Sequence, residues 1–248
     1  MMKKSILFII CCMSMALILK AQTLQEVRYL DENQNLVGLV TSNAGRKLPG
    51  VLILPAWKGI DSEAIAAALN LEKEGYIAFI ADIYGEGNYP ADHAAAAKIA
   101  GKYKSDYKVY QHRILLALEQ LKKAGADSDR MAVIGYCFGG TGALEAARAN
   151  LPVTSVISIH GGLAKSPERK NGILNPKILV QHPADDETVS KEDYEKLVDE
   201  MNDGNADWQI ITYAHSKHTF TNPESPDYNE IMAKRAWQHT LLFLSELL

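Results

Sequence analysis

Short, wholly apolar runs separated by stretches of helical spacing constrain this 248-residue chain more than any other feature. Residues 51–54 (Val-Leu-Ile-Leu) are such a run and stop at Pro55, and residues 76–81, 131–135, 153–159 and 178–181, apolar in the main, read as further strands. A strand that is apolar on both faces must be covered on both faces. The intervening segments supply that cover. Residues 64–73, 91–102, 107–124, 139–149 and 191–201 read as helices, and residues 228–247 close the chain as another. Residues 24–30 and 35–41 alternate in polarity about Asp31-Glu32-Asn33-Gln34 and predict a hairpin, and residues 208–214 predict one more strand. The expected fold is α/β, a mostly parallel central sheet with helices on both faces. Neither a repeat nor a linker interrupts it, so residues 23–248 read as a single domain.

The first 22 residues stand outside that alternation. Lys3 and Lys4 precede an apolar run over residues 5–19, and Ala21-Gln22 follow, which is the order of a secretory signal peptide. The run is short of the roughly 20 residues that a membrane span needs. The expectation is an exported, periplasmic protein without a membrane span once the peptide is cleaved. Cleavage near Gln22 removes three lysines and takes the net charge from −4 to −7. Cys11 and Cys12 leave as well, so Cys137 is the mature chain's one thiol. An acidic balance with no long run of Lys and Arg excludes a nucleic-acid partner held by broad phosphate neutralisation. A lone thiol in an oxidising compartment is either buried and inert or reactive for a purpose.

The surroundings of Cys137 favour reactivity. Gly135-Tyr136-Cys137-Phe138-Gly139-Gly140 is a G-x-S-x-G turn with sulfur in place of the hydroxyl, set between a strand and a helix. Glycine two residues to either side lets strand and helix pass closely, and the Phe138 N–H is placed to meet a developing oxyanion. Such a nucleophile needs a base and an orienting acid. The loop after residues 178–181 offers Asp185 and Asp186, and the loop after residues 208–214 offers His215 and His218. All lie beyond the C-terminal ends of strands, where sites form in open α/β sheets, and in the order nucleophile, acid, histidine. No G-x-G-x-x-G follows a strand and no H-E-x-x-H or cysteine cluster occurs, so neither a nucleotide cofactor nor a metal is expected. His160-Gly161-Gly162 follows a late strand and reads as a tight turn.

These residues resemble the dienelactone hydrolase family of α/β-hydrolases, from about Asn35 to the C-terminal helix. The resemblance implies Cys137 as nucleophile, Asp186 as acid and His218, before Thr219-Phe220, as base. It also implies backbone N–H groups of Trp57 and Phe138 as the oxyanion hole. Two positions depart from the family. Ala56 stands where the family has a Glu that holds the cysteine's resting state, so nothing there opposes proton transfer to His218. Glu86 stands near the family's substrate-gripping Arg, after the Asp82-Ile83-Tyr84 segment, which makes Tyr84 and Glu86 candidate substrate-binding residues. An acid at that point would repel a carboxylated substrate. Tyr84, Tyr89, Tyr103, Tyr107 and Tyr110 either pack with their hydroxyls in water or form an aromatic wall over Cys137. The resulting expectation is an exported, cofactor-free hydrolase of a small neutral ester or lactone. Acyl transfer or peptide cleavage on the same residues stays open, as does a non-catalytic binding protein, and neither oligomeric state nor natural substrate is legible.

Overall fold

A computed structural model describes residues 23–248, so the expected signal peptide at residues 1–22 lies outside the described residues. β1 (Gln25–Asp31) and β2 (Gln34–Val40) form a hairpin that turns at Glu32, φ 50. β3 (Gly50–Leu54), α1 (Ser62–Lys73), β4 (Ile77–Ile80), α2 (His93–Ser105) and α3 (Tyr107–Lys123) follow. β5 (Met131–Tyr136) leads into α4 (Phe138–Arg148) with Cys137 alone between them. β6 (Ser155–Ile159), β7 (Lys177–Pro183), α5 (Lys191–Asp203), β8 (Trp208–Tyr213) and α6 (Glu230–Leu247) complete the order.

The strands make one sheet in the order β1-β2-β4-β3-β5-β6-β7-β8. Only the β1–β2 and β2–β4 pairs are antiparallel; every pair from β4 to β8 is parallel. The α/β expectation stands. Most bounds move by one or two residues from the sequence reading, and two of the shifts have a clear local reason. β7 runs on through His182 and Pro183 because both still pair with β8, which postpones the acidic loop by two residues. α2 starts at His93 rather than residue 91 because the Asp92 side chain caps it, accepting the Ala95 N–H.

Alternate residues of the central strands feed two cores. Leu52 and Leu54 pack on one face with Ile114, Leu118 and Ala143. Val51 and Ile53 pack on the other with Ala64, Ala68 and Leu71. The sheet is thereby fixed between α3–α4 and α1–α6, and the C-terminal ends of β3, β5, β6, β7 and β8 share one edge. Of the six described helices, only α4 lacks a bond from its N-cap side chain; Asp61, Asp92, Asp106, Ser190 and Asn229 cap the others. Its first N–H groups are left for something else to use.

Candidate active site

The end of β5 can accept α4 only if certain side chains are missing. A Cβ on Gly135 would lie 1.8 Å from the Gly139 carbonyl oxygen, and one on Gly139 would lie 2.0 Å from the Leu54 carbonyl oxygen. Strand, turn and helix therefore close tightly on each other and on β3. Cys137 takes φ 53 at the apex, a left-handed conformation unfavourable for a residue with a Cβ. Its side chain is half-buried and projects at the sheet edge.

Three of the residues named from the sequence meet there. His218 Nε2 lies 3.0 Å from Cys137 Sγ, and His218 Nδ1 lies 2.8 Å from Asp186 Oδ2. Thr188 locks the acid: its N–H and hydroxyl both donate to Asp186 Oδ1, at 2.9 and 2.7 Å. Burial alone would raise the Asp186 pKa, but the bonds from His218 and Thr188 outweigh it and hold the group at about 2. Burial likewise opposes charge on His218, yet Asp186 and Cys137 together raise it to about 10. At neutral pH His218 therefore holds a proton between the Cys137 sulfur and an ionised carboxylate. Asp185 and His215 are not brought in: both are exposed, and the Asp185 N–H donates to the Ser216 carbonyl oxygen.

Trp57 and Phe138 flank this cluster, and among the described residues neither backbone N–H donates to a protein acceptor. Two tyrosines fix their peptide units. Tyr84 donates its hydroxyl to the Trp57 carbonyl oxygen at 2.8 Å, and Tyr110 donates to the Phe138 carbonyl oxygen at 3.0 Å. The Tyr110 and Phe138 rings stack at 4.6 Å, and the Tyr84 ring tilts against Phe138 at 5.6 Å. The expectation of hydroxyls in water is thus corrected for Tyr84 and Tyr110, which burial, with Cys137 nearby, also keeps protonated. Tyr89 bonds Asp82, and Tyr107 lies under the Arg169 guanidinium at 3.6 Å. Glu86 is not at the cluster either. Gly85, at φ 94, turns the chain, and the Glu86 carboxylate takes Arg28 of β1 at 2.7 Å in an exposed pair.

The family model for the dienelactone hydrolase family matches residues 36–248. The chain belongs to the dienelactone hydrolase family. A probable 2-oxo-3-(5-oxofuran-2-ylidene)propanoate lactonase from Bradyrhizobium sp. is 27% identical over 209 residues, covering 80% of this chain and 84% of its own. The solved structure of m3DLH is 30% identical with a TM-score of 0.85, covering 92% of this chain and 99% of that one. A dienelactone hydrolase-like promiscuous phosphotriesterase from metagenomic libraries is also 30% identical, with a TM-score of 0.84 and coverage of 91% and 98%. As a member of this family the protein is a dienelactone hydrolase-like enzyme of ester or lactone bonds.

Four residues around the cluster escaped the sequence reading: Thr188, His160, Thr221 and Glu63. At the expected tight turn the chain bends at His160, φ 39, and the Gly161 Cα lies 2.7 Å from where a Cβ on Gly140 would stand. The imidazole beside it, buried at 1% exposure directly after an apolar strand, was the signal available. Among the described residues no group of three or more His, Cys, Asp and Glu could hold a metal ion, and no helix is long and apolar enough to cross a membrane.

Proposed function

We propose that this dienelactone hydrolase is an exported, cofactor-free enzyme that cleaves a neutral ester or lactone through Cys137, His218 and Asp186. The observation that carries the reading is His218 bridging Cys137 Sγ and Asp186 within hydrogen-bond distance of each. His218 Nε2 holds the proton that Cys137 gives up, and the sulfur attacks the carbonyl carbon. Charge moves onto the carbonyl oxygen, which the N–H groups of Trp57 and Phe138 receive at the uncapped start of α4. The C–O bond breaks and His218 returns its proton to the leaving oxygen. A water then gives His218 a proton and adds its hydroxide to the thioester, and collapse of that adduct releases the acid and restores the sulfur. Asp186, ionised throughout, keeps Nδ1 protonated and the ring in place.

Neutrality of the substrate is supported by the aromatic walls and by the commitments of nearby cations. Lys165 and Arg169 are paired with Glu200 and Glu145. Export is supported by the basic-then-apolar order of residues 3–19. The test is hydrolysis of a chromogenic short-chain ester beside its carboxylated analogue. Wild type should prefer the neutral ester, and Cys137→Ala should lose turnover on both. Full activity in Cys137→Ala would sink the nucleophile assignment. Preference for the carboxylate would sink the substrate assignment and point to Lys104, whose Nζ lies 4.0 Å from the position of a Cβ on Gly162.

A further inference from the structure

Behind the nucleophile runs a second line of buried polar groups that the proposed reaction does not use. His160, 1% exposed, follows β6 at φ 39, and its Nδ1 accepts the Cys137 N–H at 3.1 Å. That N–H is shared with the Ile159 carbonyl oxygen at 3.0 Å. His160 Nε2 lies 2.8 Å from Thr221 Oγ1, and the Thr221 hydroxyl donates to Glu63 Oε1 at 2.6 Å. Glu63 is buried in the first turn of α1. One end of the chain fixes its direction. A backbone N–H can only donate, so Nδ1 holds the lone pair and Nε2 the proton, which Thr221 accepts while donating its own to Glu63. Burial, then the neighbouring His218, hold the His160 pKa at about 3, so it stays a neutral acceptor. The His160 ring also meets the His218 ring edge-on at 5.4 Å.

We propose that His160, Thr221 and Glu63 are positioning residues of the hydrolytic site: they brace the nucleophile turn from behind and set a buried carboxylate where it favours the imidazolium of His218. The proposal rests on the reading of Cys137 as nucleophile. A non-glycine residue at φ 53 persists only when its surroundings hold it, and the Cys137 side chain contributes no cap of its own. His160 supplies a hold from outside the turn, and Thr221 and Glu63 fix the tautomer that can supply it. The charge follows from what surrounds Glu63. It faces Asp61 at the cap of α1, Tyr136 at the end of β5, His160 after β6, His218 after β8, and Lys234 of α6 across a shared cavity. Burial, with Asp61 adding to it, raises the Glu63 pKa to about 7 against the pull of Thr221 and His218. Its charge therefore appears across the neutral range, two hydrogen bonds behind an imidazole whose ring meets that of His218 at 5.4 Å.

The experiment compares wild type with Glu63→Gln, Thr221→Val and Thr221→Ser in steady-state hydrolysis of a neutral ester from about pH 5 to about pH 10. Glu63→Gln keeps an acceptor oxygen and removes the charge. Because the imidazolium protonates the leaving group, the alkaline limb of kcat/KM should move down by about half a pH unit. Thr221→Val breaks the chain and should lower kcat about tenfold while KM stays within about threefold, and Thr221→Ser should restore most of the loss. A Glu63→Gln profile superimposed on wild type overturns the proposal whatever Thr221→Val does, and it decides alone if Thr221→Val does not fold. Failure of the nucleophile reading looks different. Cys137→Ala then keeps wild-type hydrolysis, and alkylation of Cys137 by iodoacetamide leaves turnover intact.

Discussion

Asp185 and Asp186 are adjacent and chemically alike, and the fold sends them to opposite environments. Asp186 is buried under Thr188 and His218, whereas Asp185 is exposed and bound only through its backbone. His215 and His218 divide the same way. Cys137→Ala and His218→Ala should each lose roughly a thousandfold or more in kcat/KM, Asp186→Asn about a hundredfold or more, and the double variants little beyond the singles. Asp185→Asn and His215→Ala should stay within about threefold of wild type, as substitutions of exposed side chains away from the reacting atoms. Steady-state rates on one ester, with circular dichroism to confirm folding, rank the five; a reversed order within either pair reassigns the role. The residues themselves placed these candidates at strand ends, and the family resemblance chose within each pair. They did not disclose His160, Thr221 or Glu63, because a bond such as Thr221 to Glu63 joins positions 158 apart in the chain. Nothing in the local pattern of either segment announces the other.

At the scale of elements, the apolar runs of β3, β4 and β5 were legible because two-sided burial leaves them without a charged or amide residue, and β6, just as buried, is interrupted only by the small Ser155 and Ser158. The helix anchoring was not legible. α4 and α5 are tied by Arg148, which bonds Glu145 one turn before it and Glu200 on α5, all three side chains at 5% exposure or less. Lys165 and Arg169, from the loop after β6, close the group on Glu200 and Glu145. As sequence these are ordinary charged residues on helix surfaces. Removing the central cation leaves two carboxylates buried with partners at the rim only, which costs far more than an exposed pair. Arg148→Met should therefore destabilise by about 3–5 kcal/mol. Lys177→Met, which breaks an exposed pair with Asp207, should cost less than about 1 kcal/mol. Urea melts at neutral pH measure both, and equal losses would mean that the Arg148 cluster is solvated in practice.

For the whole molecule, the two buried groups behind the nucleophile tilt stability in opposite directions with pH. Glu63 is raised from 4.5 to about 7, so between those values the folded chain keeps a proton that the unfolded chain has lost. Stability from this group is full below about pH 4.5 and falls as pH rises towards 7. His160 is lowered from 6.5 to about 3, so below 6.5 the unfolded chain gains a proton that the folded chain refuses. Its contribution is full above about pH 6.5 and falls as pH drops. Between about 4.5 and 6.5 the two slopes offset each other, a pairing that couples the α1 side of the sheet to the turn at the end of β5. Glu63→Gln removes one slope and leaves the other. Its melting temperature relative to wild type should therefore rise from about pH 4.5 to about pH 8 by roughly 5 °C, the ionised carboxylate being the form that burial penalises. The variant's own stability should then decline more steeply into acid than the wild type's. Thermal melts of both proteins at matched ionic strength read the difference directly. A gap that stays constant across that range would mean that Glu63 ionises at its ordinary value, with its charge already present throughout the range in which the enzyme works.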